Sequence, residues 1–142
     1  MQPPLEAEIL FELRLPARPE RLTLVRAVVQ RAAETTGCGP ELSQKLVIAV
    51  NEACMNVIQH AYKGDGSGQF TLEARKHRQQ LIFRLTDHAA PVDLDQIRPR
   101  DLDEIRPGGL GVHFIREIMD DLRMGHLPGG SGNFLEMIKN IE

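Results

Sequence analysis

A basic excess is missing from this chain. Its 142 residues carry 17 Lys and Arg against 20 Asp and Glu, a net charge of -3. No surplus of cations exists to displace counterions from a phosphate backbone, so nucleic acid is not an expected partner. Cysteine is scarce too. Cys38 and Cys54 are too few and too far apart for a zinc site, and neither belongs to a CxxC pair. No run approaches the roughly 18 apolar residues of a membrane span, so no membrane partner is expected. The first residues lack the basic, apolar and small-residue series of a signal peptide, and the cytoplasm is the expected location. Internal repeats and low-complexity segments are also lacking. What remains is an ordinary globular composition, 42% hydrophobic and 26% charged, which excludes disorder. The length suits one domain, residues 1–142, with a core that needs neither disulfide nor metal.

The chain is organised around SQKLVIAVNEACMNVIQHAY, Ser43 to Tyr62. At about 100° per residue, Leu46, Val50, Ala53, Val57 and Ala61 form one apolar face, with Val47, Cys54 and Ile58 on its shoulder. The pattern predicts one long helix. Cys54 is then a small core residue with a reduced thiol. Glu52 and Asn56 fall on the opposite side, one turn apart, on a stripe shared with Lys45, Gln59 and His60. Alone, such a polar pair usually meets only water. A carboxylate above a carboxamide is also what a helix would offer to a metal-bound anion and its attacking nucleophile.

Around this helix the other elements follow in order. Glu8 to Leu15 alternates, with Phe11, Leu13 and Leu15 on one side, and predicts a strand. Pro19-Glu20 opens a helix to about Thr36, with Leu22, Val25, Val29 and Ala33 at helical spacing, closed by Gly37 and Gly39. After the central helix, KGDGSG marks a turn or short loop. Gln69 to Lys76 and Gln80 to Thr86 then alternate on either side of a polar turn, an antiparallel hairpin. From Asp87 to Gly109 both periodicities stop, and a connection of that length tends to be a lid or a binding loop. Helical spacing returns from Leu110 to Met119. Asp121 to His126 gives a strand, LPGGSG a turn, and Asn133 to Ile141 a last strand whose broken alternation predicts cover on both faces. The order β-α-α-β-β-loop-α-β-β predicts an α/β two-layer sandwich of the α+β kind: a mostly antiparallel sheet with helices on one face.

Three clusters could carry chemistry. The central helix supplies Glu52 and Asn56, the end of a hairpin strand supplies Asp87, and Gly108-Gly109-Leu110-Gly111 opens a helix after the long loop. A helix N-terminus behind glycines offers free N–H groups and the positive end of a macrodipole, which holds phosphate without many lysines.

NEACMNVIQHAY and GGLGVHFI, in that order around TDHAAPVD, resemble the motifs of the GHKL ATP-binding superfamily with its Bergerat fold. Within it, the likeness is to the bacterial anti-sigma factor serine kinases, and it extends from LPARPERLTLVRAVV to GGSGNFLEMIK. The resemblance implies a serine/threonine protein kinase using ATP and Mg²⁺ to phosphorylate an anti-anti-sigma partner with a STAS domain, and holding a sigma factor or other regulator in turn. It implies a homodimer as well, paired through the first strand and helix. By the same resemblance Asn56 binds Mg²⁺, Glu52 is the general base toward an incoming hydroxyl, and Asp87 accepts from the adenine amino group. Ala89 belongs to the first glycine box, at a position where the family usually has Gly. Gly109 and Gly111 lie under the phosphates, Leu110 and Val112 bind the cofactor beside them, and residues 92–108 form a mobile lid over the nucleotide. Val92 stands where the family often has an aromatic. His60 is a helix-face residue, because the phosphorylated His of histidine kinases sits in a separate helical hairpin. The alternative is a partner-switching module that binds ATP or nothing and acts by association alone.

Overall fold

The computed structural model describes residues 7–64, 66–89 and 109–141, with backbone alone for 109–112. Within them the chain runs β1 (Glu8–Pro16), α1 (Leu22–Thr35), α2 (Pro40–Asn56), β2 (Gln69–His77), β3 (Gln80–Asp87), α3 (Gly109–Ile118), β4 (Asp121–His126) and β5 (Asn133–Asn140). The predicted elements are all present. The stretch 92–108, read from sequence as a lid, lies outside the described residues.

The five strands are ordered β1-β2-β3-β5-β4, and every pairing is antiparallel. Register explains the core. Leu13, Leu72, Leu85, Leu135 and Met124 lie in one row across the sheet, and Phe11, Ala74, Phe83, Met137 and Leu122 in the next. Against these rows pack Leu22, Val25, Val29 and Ala33 of α1, Leu46, Val50, Ala53 and Cys54 of α2, and Ile115 of α3. Helices therefore cover the face those rows present. Each large apolar side chain buried there contributes roughly 1.5–3 kcal/mol relative to exposure. Helix α2 packs between α1 and α3, and Arg26 Nη1 of α1 donates to Asn51 Oδ1 of α2 at 3.0 Å.

The opposite sheet face is also covered along its centre. Arg84 Nη1 meets Glu136 Oε2 at 2.8 Å, its guanidinium lies 4.3 Å from the Phe134 ring centre, and Ile82 and Ile138 are buried beside them. The broken alternation of β5 thus reflects burial on both sides, as expected.

One boundary differs from the sequence reading. Rather than an uninterrupted α-helix to Tyr62, α2 passes at Val57 into a π-helical turn, Val57–Ala61. The Tyr62 N–H donates to the Val57 carbonyl, five residues back, at 3.0 Å, and the Gly64 N–H to the Ile58 carbonyl at 2.8 Å. The apolar spacing is unchanged by this switch, because Val57 and Ile58 stay buried. What changes is the direction in which the chain leaves the helix.

Candidate functional site

Glu52 and Asn56 sit one turn apart on α2, both half-buried, while Lys45, Gln59 and His60 of the same stripe are exposed. The helix divides its polar side: a solvated part, and a part partly withdrawn from water. Asn56 Oδ1 is buried with no hydrogen-bond partner among the described residues. Leaving a buried amide acceptor unpaired costs about 1–3 kcal/mol, so such an atom calls for a partner from outside the described residues, and a bound ligand is one that fits. An amide oxygen is a suitable donor to a hard cation. Among the described residues no group of three or more His, Cys, Asp or Glu side chains could hold a metal unaided. A cation at Asn56 would therefore take most of its coordination from elsewhere.

Asp87 ends β3 and is buried. Its Oδ1 accepts two hydrogen bonds, from the Ala89 N–H at 3.0 Å and from Asn133 Nδ2 at 2.8 Å. Both fall on one oxygen, so Oδ2 is the acceptor left open among the described residues. Asn133 faces Asp87 in the β3/β5 register. Next to it, a Cβ on Gly132 would run into the Asp87 carbonyl oxygen, so the residue just before β5 approaches the Asp87 backbone as closely as only glycine permits.

Ala89, where glycine is usual in the resembling family, is buried. The described non-glycine residues with positive φ are Lys63 and Arg78, so Ala89 occupies backbone space that any L-residue can adopt. Its N–H closes a two-residue side-chain turn onto Asp87, and the methyl leaves that turn intact. Gly109 and Leu110 begin α3, and Gly111 and Val112 complete its first turn, where backbone N–H groups have no helical partner. Helix α3 packs beside α2. The structure thus joins Asp87 and Ala89 in one turn and Glu52 and Asn56 on one helix, with the α3 backbone start on the neighbouring helix.

Three residues went unassigned in the sequence reading. Asn133 and Gly132 hold Asp87, and their role becomes visible only once β5 is paired with β3. Tyr62, the single tyrosine, bonds both to Gln69 and to His88; its one sequence signal is its place at the end of NEACMNVIQHAY. Burial pushes the Cys54 thiol far up, which keeps it protonated and suits the inert core role expected for it.

Residues 15–139 match the family model of the histidine kinase-like ATPase domain, and the chain belongs to that family. Among similar proteins, a Listeria innocua protein named serine-protein kinase RsbW is 35% identical over 127 residues, spanning 84% of this chain and 81% of the relative. The Bacillus subtilis protein of the same name is 31% identical over 127 residues, with 84% and 79% covered. Two solved structures share the fold. One is the SiaB-SiaC complex from Pseudomonas aeruginosa, with a TM-score of 0.70 at 14% identity over 92% of this chain and 89% of that one. The other contains the RsbU and RsbW domains of a Mycobacterium tuberculosis protein, with a TM-score of 0.65 at 16% identity over 92% of this chain and 31% of that one. The chain is an ATP-binding kinase of this family.

Proposed function

We propose that this ATP-dependent serine/threonine protein kinase transfers the γ-phosphoryl group of ATP through Glu52, Asn56 and Asp87, acting as one domain. Asn56 Oδ1, buried one turn beyond Glu52 and without a partner among the described residues, carries the reading. Asn56 would hold Mg²⁺ by that oxygen; the bound ion would neutralise charge on the ATP phosphates. Asp87, fixed through Oδ1, presents Oδ2 to the adenine amino group, and Ala89 lines the same turn. The first-turn backbone of α3, from Gly109 through Leu110 and Gly111 to Val112, offers N–H groups and the positive end of the helix dipole to the phosphates. Glu52 takes the proton from the attacking hydroxyl as the new O–P bond forms and the bond to the ADP oxygen breaks.

The hydroxyl belongs to a serine or threonine of an anti-anti-sigma partner with a STAS domain, and the unmodified chain holds a sigma factor or another regulator. The kinship to proteins named serine-protein kinase RsbW supports this. So does the fold shared with SiaB-SiaC. The chain works in the cytoplasm as a homodimer. Supporting the dimer, β1 is an edge strand on which Phe11, Leu13 and Leu15 are only half-buried and Ile9 is 55% exposed; such an edge is a template for pairing. Sedimentation of a strict monomer at high concentration would contradict the dimer.

The role of Glu52 is tested by Glu52→Ala. Phosphoryl transfer to a STAS-domain substrate is expected to fall roughly 10²- to 10⁴-fold, with ATP affinity retained. Transfer at the wild-type rate would overturn the base assignment.

A further inference from the structure

The π-helical turn after Asn56 delivers Tyr62 to a place where one side chain spans two parts of the site. Its hydroxyl donates to the Gln69 carbonyl, at the start of β2, at 2.6 Å. The same oxygen accepts from the His88 N–H, directly after Asp87, at 2.9 Å. A phenol has one proton to give and lone pairs to receive, so the two bonds are compatible and together use the group fully. The ring lies directly over Gly68, where an added Cβ would run into Tyr62 Cε1 and Cζ. Glycine at position 68 is what lets the ring lie flat against the strand entry. The turn provides the reach, since the Tyr62 N–H bonds five residues back instead of four.

We infer that Tyr62 is a positioning residue for nucleotide binding, tying the Asn56 end of the central helix to the Asp87 turn. The inference rests on the reading of Asp87 as the adenine acceptor. The Asp87 turn is then held from two sides: by Asn133 of β5 with the preceding Gly132, and by Tyr62 from the end of the central helix. Fixing the His88 peptide fixes the backbone from which the Asp87 carboxylate projects, and a preset acceptor binds adenine without first being ordered.

The test is equilibrium binding of adenosine, and of ADP without Mg²⁺, to the full chain carrying Tyr62→Phe. That change keeps the ring and removes only the hydroxyl. Loss of one bridging hydroxyl is expected to weaken both ligands roughly 3- to 10-fold, by the same factor for each, with binding stoichiometry unchanged. A residue that only stabilises the fold would lower the melting temperature and leave the dissociation constant of the folded fraction unaltered; that result overturns the inference. Gly68→Ala, which displaces the ring without touching its chemistry, is expected to reproduce the weakening, and wild-type affinity in that variant would contradict it. Asp87→Ala separates the two levels. If it abolishes adenosine binding while Tyr62→Phe does not weaken it, the positioning role alone is wrong. If Asp87→Ala binds like wild type, the adenine assignment falls and the inference with it.

Discussion

At the Asp87 turn the protein holds one carboxylate oxygen with two donors of its own, whereas at Asn56 the described residues leave a buried acceptor open. Asp87 Oδ1 has two donors within 3.0 Å, and Gly132, just before β5, closely approaches its backbone. Asn56 Oδ1 is buried with no partner among the described residues. On the proposed function both belong to one nucleotide site, and the difference then follows from what each would have to meet. A planar base needs an acceptor held still, so the protein fixes the carboxylate in advance. A hydrated cation and a chain of phosphates bring their own ligands, so an open oxygen is more useful than a satisfied one.

The contrast predicts mutational effects of different sign. The largest is expected at Gly132→Ala, because the added methyl would meet backbone of Asp87 and His88, which cannot swing aside like a flexible side chain. Destabilisation by about 3 kcal/mol in denaturant titrations, with nucleotide affinity lost in parallel, is the expected outcome. Stability close to wild type would mean that β5 is not pressed against Asp87.

A paired substitution sharpens the comparison. Asn133→Ala removes a donor from a buried carboxylate and is expected to cost about 1–3 kcal/mol. Asn56→Ala removes an acceptor that has no donor among the described residues, and without nucleotide it is expected to be neutral or stabilising by up to about 1 kcal/mol. Of two asparagines truncated identically, only Asn133 would then lower the unfolding midpoint. If both destabilise equally, Asn56 has an internal partner and the open-acceptor reading is wrong.

How much of this could be read from the residues varies from element to element. Strict alternation in Phe70, Leu72 and Ala74, and again in Leu81, Phe83 and Leu85, predicts the hairpin, and register places all six on the core face. The long apolar stripe of α2 was equally legible, because burial follows period whatever packs against it. Glu52, Asn56 and Asp87 stood out through their order along the chain and the resemblance that order carries. The π-helical turn was not legible, since shifting a hydrogen bond by one residue leaves Val57 and Ile58 buried as before. Nor was the bond between Asn133 and Asp87, residues 46 apart in sequence, which depends on which strand lies beside β3. The effect of Ala89 was similarly hidden. It turns on a backbone angle, and once φ is not positive the missing glycine has no conformational consequence.

The central claim is that Asn56 completes a cation site for bound ATP. Its most direct test is equilibrium ATP binding with and without Mg²⁺, on wild type and on Asn56→Ala. The account predicts that Mg²⁺ strengthens ATP binding to wild type roughly 10-fold or more, and that Asn56→Ala loses this gain while binding ATP without Mg²⁺ as wild type does. An Asn56→Ala protein that keeps the full Mg²⁺ effect would contradict it.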